Sequence, residues 1–194
     1  MSGAQIGVWV VGLAVVLATA AVAIVAARRP NVVTGLLGLV PIALGGLAVA
    51  FDVGIPAPSA AWATSMALAV ALLGVVGGGP ATTVVLRLAT QRDVRPGEHG
   101  GILILAAPTT GTNELGVRHE VLRGGAAIGY LERLAVVAAI VLGHLSIVAA
   151  VIAVKGLGRF SELDSAEARE RFIIGTLASL LWAGACGALV VLTR

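Results

Sequence analysis

Charge and aromatic rings are both scarce in this chain. Asp, Glu, Lys and Arg make up only 12% of its 194 residues, about half the roughly 25% usual for soluble domains. The apolar share is 58%, more side chain than a globule of this length can hide, so lipid must cover part of it. Aromatics, at 4%, are too few for the stacking platforms of a single-strand nucleic-acid binder. The lone cysteine, Cys186, excludes an intramolecular disulfide and leaves the compartment open. Three histidines, His99, His119 and His144, share no helix and no ligand spacing, so neither a metal site nor any cofactor is expected. The net charge is +3, and of the basic residues only Lys155 is a lysine. The arginines cluster beside apolar segments, which suits lipid headgroups and topology-setting loops and not nucleic acid.

What is present is a series of long apolar runs. Ile6 to Ala27 carries no charge and at about 33 Å of helix exceeds a hydrocarbon core of about 30 Å. It is followed at once by Arg28 and Arg29 and reads as an uncleaved anchor, not a signal peptide, because nothing basic precedes it. Val32 to Phe51 is a second span, with Pro41 and Gly45-Gly46 expected to kink it. Ala60 to about Val76 is a third, starting near Trp62. Gly77-Gly78-Gly79-Pro80 breaks the helix, and Pro80 suits the first turn of a new one. The polar stretch that follows contains two strand-like runs, 101–105 and 117–122, compatible with a small β-hairpin. Ala126 to Phe160 is apolar, and Phe172 to Leu192 is the final span.

These runs predict an all-α, polytopic helical membrane protein with about five transmembrane segments. Residues 1–79 form an N-terminal three-helix region, 80–125 a polar cytoplasmic segment, and 126–194 a C-terminal membrane region. With five spans and the N-terminus outside, Arg28, Arg29, Arg87, Arg92, Arg95, Arg118, Arg123, Arg133 and Arg194 lie inside. Lys155, Arg159, Arg169 and Arg171 lie outside, nine against four. The alternative is four spans plus a re-entrant helical hairpin at 126–159, folded at Gly143-His144. It gives twelve against one, which the positive-inside rule prefers. Against it, re-entrant backbone must be buried in protein, and the five-span reading stays ahead. The expected location is the cytoplasmic membrane.

Candidate binding residues gather in the last third: Glu132, Arg133, His144, Lys155, Arg159 and Glu162. A charge within the bilayer costs several kcal/mol and marks either a function or an internal partner. Glu132 and Arg133 suit an interfacial pair that fixes helix depth. Lys155 and Arg159, four apart on one helix face, suit a basic helix end able to hold a headgroup or phosphate. His144 falls near the midplane in the five-span reading. Small-residue pairs four apart, Gly74/Gly78, Gly125/Gly129, Gly175/Ser179 and Ala183/Gly187, permit close helix approach. Thr176 and Ser179 have hydroxyls able to bond across to another helix. No catalytic motif is present.

The runs 121–125 and 129–133, then 153–160 with Glu162-Leu163, and finally 170–179 carry a likeness. Through them residues 77–190 resemble a family of uncharacterised bacterial, largely actinobacterial, multi-pass integral membrane proteins. The C-terminal part is similar to a membrane domain of unknown function. The resemblance implies a bacterial cytoplasmic-membrane protein and no particular activity. The leading expectation is a non-enzymatic module that binds membrane lipids, a membrane-protein partner or a second copy of itself. A small transporter or channel using Glu132, His144 and Lys155 is the alternative, and a membrane enzyme comes third.

Overall fold

The computed structural model describes residues 3–27, 32–90, 102–105, 118–121, 125–159 and 166–193. Helix α1 is Gly3–Ala26, α2 Val32–Leu37, α3 Leu39–Ala50, α4 Ala60–Val76 and α5 Gly78–Thr90. Strands β1 (Ile102–Leu105) and β2 (Arg118–Val121) pair antiparallel, with Ile102 opposite Val121. Helices α6 (Gly125–Val141), α7 (Leu145–Arg159) and α8 (Ala166–Leu192) complete the chain.

Three helical stretches are long and apolar enough to cross a membrane: Gly3–Ala26, Val32–Ala50 and Ala168–Leu192. A fourth arises if α4 and α5, bent by 45°, are taken as one. Large apolar side chains on the outside, such as Val11, Val25, Leu88, Leu157 and Leu181, are exposed. This is the surface of a helical membrane-embedded protein, where lipid replaces water as solvent. Five span-length helices are not formed among the described residues.

The difference lies in 126–159. The region is not one long helix but two that fold back on each other at Leu142-Gly143-His144. Lys155 reaches Glu132, whereas on a straight helix those residues would lie about 35 Å apart. The turn has a local cause. Gly143 takes φ +75°, its N–H donates to the Ile140 carbonyl, and the His144 N–H donates to the Ala139 carbonyl at 2.7 Å. That is a Schellman cap, which needs a residue free to enter the left-handed region. The same cap ends α3, with Asp52 at φ 51° and Val53 N–H donating to the Ala48 carbonyl.

The α2–α3 break also departs from expectation. It falls at Gly38, not at Pro41, because the proline ring collides with the carbonyl four residues earlier, that of Leu37. Gly38 also lies against the Trp182 ring.

Helix α8 is the centre of the bundle, packing against α3, α4, α5 and α6. The main core joins Val16 and Ala20 of α1, Val70 and Leu73 of α4, and Trp182, Cys186 and Val190 of α8. N-terminal and C-terminal regions therefore share one interior. Helix α5, within the stretch expected to be polar, packs on α8 and α2 and buries Val84.

The helices approach closely where glycine leaves room. A Cβ on Gly74 would stand 2.8 Å from Cys186 Cβ, one on Gly45 2.7 Å from Leu189, and one on Gly77 2.4 Å from the Trp182 ring. Gly77→Ala is therefore expected to destabilise the fold by about 1–3 kcal/mol through overpacking. Gly46, exposed and with nothing within 4 Å, should accept alanine without loss. Unfolding midpoints of the two variants in the same detergent check the pair.

Candidate functional site

The two ends of the bundle differ in charge. Gln5 Nε2 donates to the Pro56 carbonyl at 2.8 Å and Trp9 Nε1 to the Ile55 carbonyl at 3.3 Å. These bonds tie the start of α1 to the α3–α4 loop. Gly38 and Gly45 meet Trp182 and Leu189, so α3 and α8 run in the same direction. Arg133 meets Ser179 and Ile140 meets Gly187, so α6 runs that way too. Gly3, Asp52, the Gly143-His144 turn and Leu192 accordingly mark one end. At the other lie Arg87 in the last turn of α5, Lys155 and Arg159 toward the end of α7, and Arg169 and Arg171 at the start of α8. Among the described residues the Asp52 end has no lysine or arginine.

Between the ends, Glu132 and Arg133 occupy adjacent positions on α6 and do different work. Glu132 accepts a hydrogen bond from Lys155 Nζ, an ion pair joining α6 to α7 with side-chain exposures of 11% and 18%. The Lys155 ammonium also lies 5.9 Å from the centroid of the Phe172 ring near the start of α8. Arg133 turns inward and is only 6% exposed. Its Nε donates to the Val75 carbonyl at 2.6 Å, Nη1 donates to Ser179 Oγ at 3.2 Å, and the guanidinium lies 4.9 Å from the Tyr130 centroid.

The local sequence makes room for this arginine. A Cβ on Gly78 would stand 2.3 Å from Arg133 Cδ, and one on Gly129 3.1 Å from Nη1. The helix break supplies the acceptor. Val75 belongs to the last turn of α4, whose carbonyls lose partners where Gly77 and Pro80 interrupt the ladder. The negative end of the α4 dipole favours a cation there. Trp182 Nε1 uses the same end and donates to the Leu73 carbonyl at 3.2 Å.

Of the candidate residues, Glu132 and Lys155 are thus brought together, and Arg133 is committed to internal oxygens. His144, expected near the midplane, sits exposed at the hairpin turn, roughly 18 Å along α6 from Glu132. Glu132 and His144 therefore stand apart, on α6 and at its far end. The Arg159 side chain and the whole of Glu162 lie outside the described residues. No group of three metal-ligating side chains occurs among the described residues.

Ser179 does bond across to another helix, as its hydroxyl suggested, whereas the parts played by Trp182, Tyr130 and the Gly77-Gly78 pair were missed. A usable signal was Trp182 itself, an indole N–H placed mid-helix and not at an interface, which has to find an acceptor. Compared with known proteins, the chain matches no protein-family model, no curated protein and no solved structure.

Replacing Arg133 with Ala should cost at least about 2 kcal/mol, since it strips a buried carbonyl of its donor. A double-mutant cycle on Glu132→Gln and Lys155→Met should return a coupling of about 1 kcal/mol or more. Denaturant unfolding in mixed micelles, followed by Trp fluorescence, measures both.

Proposed function

We propose that this chain is a non-catalytic module of the bacterial cytoplasmic membrane that binds an anionic lipid headgroup at its arginine end. Four crossings, α1, α2–α3, α4–α5 and α8, frame it, and the α6–α7 hairpin enters from that same end. The supporting observation is the charge asymmetry: Arg87, Lys155, Arg159, Arg169 and Arg171 sit at one end, opposite Asp52. By the positive-inside rule this end faces the cytoplasm, which leaves the N-terminus outside. Cations in the outermost turns of apolar helices stand at headgroup depth, and each attracts anionic lipid by about 1 kcal/mol. The resemblance of 77–190 to bacterial integral membrane proteins fits this reading. A membrane protein or a second copy, docking at the same end, is the companion reading.

A transporter is the second reading, and the interrupted α4–α5 helix favours it, because broken helices build many substrate sites. The separation of His144 from Glu132 and Lys155 weighs against the pathway first expected.

Two measurements test the proposal. In a Cys186→Ala background, single cysteines at Ser59, Ser165 and Thr193 are exposed to an impermeant thiol reagent on intact cells. Labelling at Ser59 and Thr193 but not Ser165 is expected, and labelling at Ser165 would sink the arrangement. Arg159→Ala with Arg169→Ala spares the Glu132–Lys155 pair and should weaken binding to anionic vesicles by about 30-fold, two charges at about 1 kcal/mol each. Unchanged binding would remove the headgroup reading.

A further inference from the structure

The lipid-facing surfaces of the bundle differ in height. On α1 the exposed large apolar side chains begin at Ile6 and end at Val25, and on α8 they begin at Ile173 and end at Leu192. At about 1.5 Å per residue each face is about 28 Å tall, close to a hydrocarbon core of about 30 Å. The α6–α7 hairpin is shorter. Its exposed large apolar side chains run from Ile128 to Leu142 on the first arm and from Leu145 to Leu157 on the second, about 21 and about 18 Å. Polar groups close both ends. The exposed His144 of the turn stands at one, and Arg123 and Arg159 lie just beyond the other in the sequence. Lys155, whose long side chain would otherwise carry its ammonium to a distant headgroup, is held by Glu132. Tilting the hairpin only lowers it further.

We propose that the outward face of the α6–α7 hairpin thins the bilayer beside it, so that lipids meet this side of the molecule in a membrane about 10 Å thinner than the ordinary core. A span too short for its bilayer is accommodated by thinning, by snorkelling of flanking residues or by oligomerisation. The ion pair with Glu132 closes snorkelling to Lys155. A second copy with an equally short hairpin would bring no water to the polar ends, whereas headgroups drawn inward solvate both at once. The faces of α1 and α8 match an undeformed bilayer, so the thinning is confined to the hairpin side. It does not rest on headgroup binding at the arginine end.

The test uses the full chain with Cys186→Ala, reconstituted in phosphatidylcholine bilayers with oleoyl chains. Spin labels are placed singly at the exposed positions Leu145 and Leu157, and for comparison at Ile6 and Val25. Relaxation by oxygen against an aqueous nickel complex gives the depth of each label below the hydrocarbon boundary. The depths at Leu145 and Leu157 add up to the shortfall of the hairpin, wherever it sits in the membrane. Thinning predicts a sum below about 6 Å, as for Ile6 with Val25, whereas an undeformed core leaves about 12 Å over a face of about 18 Å. A sum above about 6 Å overturns the proposal, and so do hairpin labels shielded from oxygen by a second copy. In bilayers of the shorter myristoleoyl chains the hairpin sum should stay unchanged while the Ile6 and Val25 labels emerge into water. A hairpin sum that falls with chain length marks an undeformed slab and also overturns it.

Discussion

A guanidinium enclosed in an apolar bundle must be given oxygens, and the arrangement around Arg133 follows from that need. No carboxylate pairs with it among the described residues. Its partners are a carbonyl and a hydroxyl, brought to it by α4 and α8. The Val75 carbonyl becomes available because Gly77 and Pro80 interrupt the helix there, and Gly78 and Gly129 clear the space. The break in α4–α5, the placement of α6 and the position of Ser179 on α8 are thus one constraint seen from three helices. Burying an ion this way costs desolvation, offset by the aligned carbonyls at the end of α4 and by the Tyr130 face.

Close approach is the second organising condition. In lipid there is little hydrophobic drive between helices, so association depends on van der Waals contact and polar bonds, both of which need backbones near one another. Gly74 against Cys186, Gly175 against Thr82 and Gly187 against Ile140 provide that nearness along α8. The hairpin is held differently. Helix α7 packs on α6 and relies on the Glu132–Lys155 pair, while Leu157 and Val154 face outward. The main core joins α1, α4 and α8, and Glu132 and Arg133 sit on α6, which packs against α8.

Function follows from where the charges end up. Of the residues that looked like one constellation in sequence, Arg133 becomes an internal brace and Glu132 and Lys155 an interhelical pair. His144 sits near the opposite face. On the proposed reading, the end opposite Asp52 is the one that meets a membrane surface.

The sequence by itself determined the solvent and the broad class. Apolar runs with so few charges can only be housed in lipid, and hydropathy reads this without any knowledge of contacts. It also located the break at Gly77–Pro80 and offered the turn at Gly143 as its alternative reading, since both depend on local backbone chemistry, and it flagged the small-residue pairs along α8. Tertiary structure decided which charge met which partner. Glu132 and Arg133 are neighbours in sequence, but a helix turns about 100° per residue, and only the positions of α7, α4 and α8 determine what each side chain faces. The placement of His144 is another case. Gly143 permits the turn in 126–159, but that Lys155 then meets Glu132 across 23 residues is a long-range contact that local pattern does not encode.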